Sequence, residues 1–208
     1  MKYYIIAGEA SGDLHGSNLI KEIIKIDSNA EIKAWGGDKM QDAGATIVKH
    51  FKDLAFMGFY EVLINLKTIL NNISYCKKDI LDFNPDKIIF IDYPGFNLRI
   101  AKWAKKQKFN TIYYIAPQLW AWNEKRISEI KKFVDSMYVI LPFEKEFFEK
   151  KHNYPVNFMG HPLIDSINNF QNRFQKDKQE IKLNNKPVVA ILPGSRKQEI
   201  KKILKTVI

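Results

Sequence analysis

An α/β fold built on a Rossmann-like parallel sheet is predicted from three features of this 208-residue chain. Short apolar runs alternate with amphipathic stretches of helical period from the first residues onward. The first such run ends in a loop of small residues, Gly8-Glu9-Ala10-Ser11-Gly12-Asp13. An open parallel sheet binds its ligands at such strand ends. Hydrophobic residues make up 46% of the chain, enough to cover both faces of such a sheet.

The elements follow in order. A strand over 2–7 leads into a helix over 14–26, whose Leu19, Ile20, Ile23 and Ile24 share one face. A second strand over 31–35 precedes Gly36-Gly37 and a short helix over 38–43. A brief strand at 46–48 and the stretch 51–57 lead to a long helix over 59–81. The strand 87–91 ends in Asp92-Tyr93-Pro94-Gly95 and opens into a helix reaching Gln107. A strand over 111–115 ends in Ala116-Pro117-Gln118-Leu119-Trp120-Ala121-Trp122, with a helix from Asn123. Strand 136–140, helix 143–151 and strand 156–159 complete a first domain over 1–167, closing at Gly160-His161-Pro162. Residues 168–186, rich in Asn, Gln and Lys, read as a polar linker that can be partly helical through Phe170, Phe174 and Ile181. A further strand over 187–192, Pro193-Gly194-Ser195-Arg196 and a helix over 197–208 read as the start of a second α/β domain.

Composition narrows the function classes. No apolar run is long enough to span a bilayer, and Gly8-Glu9 interrupts the first run too early for a signal peptide. The lone cysteine, Cys76, excludes an internal disulfide and fits a reducing compartment as an unreactive thiol. Thirty-three Lys+Arg against twenty-three Asp+Glu give a net charge of +10. That favours an anionic partner or reflects a lysine-rich solvated surface; no nucleic-acid-binding motif accompanies the charge. His15, His50, His152 and His161 fall in no metal-ligand spacing, so no metal or cofactor is expected.

The candidate chemistry lies at the strand ends. The first loop is neither GxGxxG nor GxxxxGK[ST], and its acids suit sugar hydroxyls or proton transfer better than phosphate. Asp92, directly after an apolar strand, projects toward the same crevice as Glu9. Paired carboxylates can have their pKa values pushed apart, leaving one as a general base; helix capping and ion pairing are the alternatives for Asp92. Asn97 can hold a sugar hydroxyl or stabilise the turn. Trp120 and Trp122 can stack on sugar rings or plug the core, and Lys125 with Arg126 can hold phosphate. His161 can polarise a group or serve structure. On a helical wheel, Val62, Leu63, Leu66, Ile69 and Leu70 form one face, while Tyr60 and Ile64 fall on the opposite arc. That extra apolar surface suits lipid or a protein partner, with ordinary burial as the alternative. Arg196 and the helix after it would suit a diphosphate.

Taken together, AGEASGD (7–13), MGFYEVL (57–63), IDYPGFN (91–97), APQLWAW (116–122) with Lys125-Arg126, LPFE (141–144), GHP (160–162) and LPGSR (192–196) resemble one family, in its order, over nearly the whole chain. That family is lipid-A-disaccharide synthase, the glycosyltransferase of lipid A assembly in Gram-negative bacteria. The resemblance implies a two-domain GT-B type glycosyltransferase, of which the second domain is only begun here. It implies transfer, with anomeric inversion, of the glucosaminyl unit of UDP-2,3-diacylglucosamine to 2,3-diacylglucosamine 1-phosphate. The products are the β-1′,6-linked disaccharide 1-phosphate and UDP.

By the same resemblance, Asp92 is the expected base and Glu9 positions it or substitutes for it. Ser11, Gly12, Asp13, Met57, Gly58, Glu61, Asn97, Pro117, Trp120, Trp122, Lys125, Arg126 and His161 are expected at the substrates. Ser195 and Arg196 are expected at the donor diphosphate. Tyr60, Val62, Leu63, Leu66, Ile69 and Leu70 are expected against acyl chains at an anionic membrane, on its cytoplasmic face. A homo-oligomer or a separate C-terminal half remains open as partner. The competing expectations are a non-catalytic acyl-sugar-binding half and another sugar-nucleotide enzyme of the same fold, such as an epimerase.

Overall fold

Strand alternation decides the architecture. Along the first strand, Tyr4 and Ile6 point to one face of the sheet and Ile5 and Ala7 to the other, and all four are fully buried. A strand buried on both sides requires helices on both sides. The computed structural model describes residues 1–54, 66–174, 189–194 and 197–207. Met57, Gly58, Tyr60, Glu61, Val62, Leu63, Ser195 and Arg196, together with the side chains of Leu66 and Trp122, lie outside the described set.

The elements in order are β1 (Lys2–Ala7), α1 (Ala10–Ile26), β2 (Glu31–Gly36), α2 (Asp38–Asp42), β3 (Thr46–His50) and a 3-10 turn (Phe51–Asp53). Next come α3 (Leu66–Phe83), β4 (Lys87–Ile91), α4 (Pro94–Lys106) and β5 (Thr111–Tyr114). Then follow α5 (Leu119–Trp122), a 3-10 turn (Glu124–Arg126), α6 (Ile127–Phe133), β6 (Ser136–Val139) and α7 (Pro142–Glu146). A π-helical turn (Phe147–Lys151), β7 (Asn157–Phe158), α8 (Leu163–Phe174) and α9 (Lys197–Val207) complete the set. The seven strands form one sheet in the order β3-β2-β1-β4-β5-β6-β7, every pairing parallel. The expected fold class, an α/β parallel sheet of the Rossmann-like type, is the one found.

One core cluster gathers Ile20 and Met40 from α1 and α2 against Ile5, Ala34, Ile89 and Ile91. The other gathers Ile73, Cys76 and Ile80 of α3 and Ile100, Ala101 and Ala104 of α4 against Tyr4, Ile6, Ile88 and Phe90. Each fully buried aliphatic side chain contributes about 1.5–3 kcal/mol, against the conformational entropy of ordering it. A polar network crosses the second interface. Trp35 Nε1 donates to the Tyr4 hydroxyl at 2.9 Å, and that hydroxyl donates to Asp79 at 2.8 Å. Lys33 pairs with the same carboxylate at 2.7 Å. Cys76 is fully buried beside it, and burial pushes its thiol up, so it stays protonated.

Several boundaries differ from expectation for visible reasons. Helix α1 starts at Ala10, because the Asp13 N–H already reaches the Glu9 carbonyl at 2.9 Å. The helix expected from Asn123 is split into α5, a 3-10 turn and α6. Helix α8 runs into the stretch expected as polar linker, since Leu163, Ile167, Phe170 and Phe174 recur at helical spacing. Residues 189–194 carry no strand, and Val189 and Leu192 are exposed. The chain divides into two compact units, Met1–Asp165 and Ser166–Ile208. The sheet lies wholly in the first. The second contains most of α8 and the amphipathic α9.

Candidate active site

The strand order reverses between β1 and β4, so the crevice of this fold opens at the carboxyl ends of those two strands. Glu9 follows β1 and Asp92 follows β4. Glu9 occupies the N-cap of α1 in an extended conformation, half-buried. Gly8 is needed because the Tyr93 ring lies over it: a Cβ there would come within 2.4 Å of that ring. The two strand-end loops are thereby packed directly together.

Asp92 and Tyr93 both take left-handed backbone angles, with φ of 42° and 49°, and Ile115 at the end of β5 has φ 66°. Such angles are uncommon for an aspartate, and for a β-branched isoleucine they are a strained conformation costing about 1–3 kcal/mol. Surrounding bonds hold them. The Asp92 N–H donates to the Ile115 carbonyl at 3.3 Å. The Asp92 carbonyl accepts from the Tyr113 hydroxyl and from Asn97 Nδ2, each at 2.7 Å. Asn97 Nδ2 also lies within 3.4 Å of the Ile6 carbonyl and 3.3 Å of the Ile91 carbonyl. Asn97 and Tyr113 are both fully buried. Asn97 therefore ties the ends of β1 and β4 through its Nδ2.

The Asp92 side chain is exposed toward the crevice and lines a cavity of about 330 Å³. Pro94, Ile115, Ala116, Pro117, Gln118, Leu119, Ile140, Leu141 and Glu144 form the other walls. The protein around Asp92 desolvates its carboxyl and raises its pKa above the ordinary value; the Glu9 charge raises it further, and the Tyr93 N–H partly offsets both. The same burial and the same Glu9 charge raise Tyr93. The arrangement holds an acid of elevated basicity at the edge of an open crevice with both apolar and polar walls. That suits taking a proton from a hydroxyl.

The remaining expected residues fall into groups. Ser11 is exposed in the first turn of α1, and Gly12 is buried beneath it. Asp13 is 3% exposed and turned away from the crevice. Its carboxylate accepts from the N–H groups of Gly37 at 2.7 Å, Met40 at 3.0 Å and Lys39 at 3.2 Å, capping α2 from a neighbouring helix. The structure makes Asp13 a scaffold residue rather than a substrate contact. Pro117 is a cavity wall; Trp120 packs edge-on against Phe143 with ring centroids 4.9 Å apart. Lys125 is exposed and Arg126 half-buried. His161 accepts the Leu163 N–H on Nδ1 at 3.2 Å. Leu70 is exposed at 51%, whereas Ile69 packs on the core through the stripe it shares with Ile73, Cys76 and Ile80. The acyl-facing surface expected of Ile69 is thus spent on ordinary burial.

Two residues at this site were not among the candidates read from the sequence. Tyr113 is an ordinary aromatic in a strand until its hydroxyl is seen on the Asp92 carbonyl. Glu144, 1% exposed, takes the N–H groups of Ile140 and Leu141 at 3.1 and 2.9 Å and the Trp120 indole at 3.4 Å. An acid three residues into a helix that opens with Pro142 is a recognisable capping signal.

Comparison with known proteins identifies the family. The model of the family described as lipid-A-disaccharide synthetase matches residues 3–208. A lipid-A-disaccharide synthase of Coxiella burnetii (strain Dugway 5J108-111) is 41% identical over 200 residues, covering 96% of this chain and 53% of that protein. One from Trichlorobacter lovleyi is 40% identical over 204 residues, covering 98% and 53%. The lipid-A-disaccharide synthase 1 of Legionella pneumophila (strain Lens) is 40% identical, covering 95% and 52%. The chain thus spans about half the length of these curated relatives. Among solved structures, a UDP-GlcNAc 2-epimerase from Neisseria meningitidis bound to UDP-GlcNAc superposes with a TM-score of 0.60 at 13% identity, over 85% of this chain and 52% of that one. The enzyme of that name from Rickettsia bellii gives 0.57 at 11% identity, over 85% and 49%. Those two likenesses concern the fold alone. The motif order, the family match over residues 3–208 and the 40–41% identities place this chain in the lipid-A-disaccharide synthase family.

Proposed function

We propose that this chain forms the acceptor side of an inverting glycosyltransferase. That enzyme joins UDP-2,3-diacylglucosamine to 2,3-diacylglucosamine 1-phosphate. The observation that carries the reading is Asp92, held in a left-handed turn at the switch point with its carboxyl raised by burial and by Glu9. In the proposed step Asp92 takes the proton of the acceptor 6-hydroxyl. The freed oxygen pair bonds to the anomeric carbon from the face opposite the diphosphate, and UDP departs with the electrons of the breaking C–O bond. The carboxyl's raised pKa makes it a better proton acceptor than an ordinary aspartate. Glu9 keeps the field around it negative.

The acyl chains would lie along exposed apolar side chains, with Leu70 the exposed one of the two described members of the expected set, Ile69 and Leu70. No helix among the described residues is long and apolar enough to cross a membrane, which is compatible with peripheral attachment to an anionic surface. Disaccharide formation in detergent micelles, with Asp92→Asn alongside, is the test. Product from the parent chain and a loss of about 10²–10⁴-fold in the variant are expected of a general base. Undiminished product from the variant would remove Asp92 from the chemistry.

A further inference from the structure

The loops after β1 and β4 meet where Gly8 lies beneath the Tyr93 ring. A Cβ on Gly8 would stand 2.4, 2.4 and 2.7 Å from ring atoms Cδ1, Cγ and Cδ2, closer than non-bonded carbons pack. Gly8 is not among the residues with a left-handed φ, so this glycine supplies space rather than conformation. The two acids flank the contact: Glu9 follows Gly8, and Asp92 precedes Tyr93. The ring is itself held in place. It stacks on Phe96 with centroids 5.6 Å apart, and Phe96 lies 5.2 Å from the fully buried Trp35. The Tyr93 carbonyl accepts the N–H groups of Asn97 at 3.0 Å and Phe96 at 3.2 Å, which fixes the entry into α4.

We propose that Tyr93 is a positioning residue: its ring, seated on Gly8, sets the separation of the Glu9 and Asp92 carboxylates. Each acid is one peptide unit from the contact, so a ring that moved would carry the two loops apart or together. The ring atoms over Gly8 are those nearest the main chain and remote from the hydroxyl, so the ring and not the phenol does the spacing. The inference rests on the proposed function in one respect: Asp92 is the base whose proton affinity the spacing tunes. Burial first and the Glu9 charge second raise that affinity, as two acids held close require. The other ionisable groups near Asp92, among the described residues, come from three elements. They are the Tyr113 hydroxyl of β5, which also feels Arg126, the phenol of Tyr93, which also feels Glu9, and Glu144 of α7 on the cavity wall. Of these, it is Tyr93 whose ring rests on the loop that carries Glu9.

The test reads the coupling of the two acids directly and needs no turnover. Side-chain carboxyl carbon shifts of the isotope-labelled chain would be followed through a pH titration, with Asp92→Asn identifying the Asp92 signal. Glu9→Gln should lower the Asp92 midpoint in the parent chain and equally in Tyr93→Phe, which keeps the ring. In Tyr93→Ala the same Glu9→Gln step should be at least about twofold smaller, because charges further apart with water between them interact less. Gly8→Ala pushes on the ring from the other loop and should shrink the step likewise, so the measurement survives if one of the two variants fails to fold. An undiminished step in Tyr93→Ala or Gly8→Ala, its loss in Tyr93→Phe, or no step in the parent chain overturns the assignment. Disaccharide formation by Asp92→Asn judges the base separately. Full activity there would remove Asp92 from the chemistry with the coupling untouched, and a failed coupling would leave the base assignment standing.

Discussion

At Asp92 the main chain is left-handed, and two buried donors converge on its carbonyl. Tyr113→Phe removes one of them without changing the ring's volume. Stability should fall by about 1 kcal/mol, the usual net worth of a hydrogen bond, as read by denaturant unfolding. If the turn aims the base, kcat should fall with KM nearly unchanged, and the acid limb of the pH profile should move as the carboxyl's surroundings relax. An unchanged profile would leave Tyr113 a stabilising residue only. Asp92 itself was legible as a candidate from its place after an apolar strand. Tyr113 was not, because the bond that matters joins residues 21 apart and depends on the pairing of β4 with β5.

Elements also hold one another in place away from the crevice. Asp13 on α1 supplies the cap that α2 lacks in its own sequence, where Gly37 stands at the N-cap. Asp13→Ala would leave three N–H groups without their acceptor. The expected cost is about 1–3 kcal/mol in thermal or denaturant unfolding, and Asp13→Asn, which keeps one acceptor oxygen, should lose less. This cap explains why the first loop misled: its two acids look equivalent in sequence, yet only Glu9 remains at the crevice. The helix periods of α1, α3 and α4 and the strand runs were readable locally. Helix α8 was masked by its Asn- and Gln-rich polar face, and the break between α5 and α6 follows from fitting Trp120 and Ile127 to different neighbours.

For the whole molecule, the raised pKa of Asp92 ties stability to pH. A carboxyl whose folded pKa exceeds its unfolded value contributes stability below the unfolded pKa and loses it as pH rises through the folded one. Asp92→Asn removes that ionisation cost. The variant should melt higher than the parent chain at neutral pH, with the gap closing as acid protonates Asp92, in thermal scans across pH. A variant that melts lower at every pH would mean the carboxylate is a net structural asset. The parallel class of the sheet was legible from strand–helix alternation. The strand order was not: it is set by which apolar faces meet, and β1 pairs with both β2 and β4 through contacts remote in sequence.

The Tyr4–Trp35–Asp79–Lys33 network has a further effect on α3. Apolar packing is non-directional, so a helix seated only on Ile73, Cys76 and Ile80 could slide one turn along its axis and still bury oil against oil. A carboxylate that must meet one phenol and one ammonium cannot. The network acts as a registry pin: it sets the axial height of α3, and Leu66, at the helix's amino end, is delivered to a fixed level above the sheet.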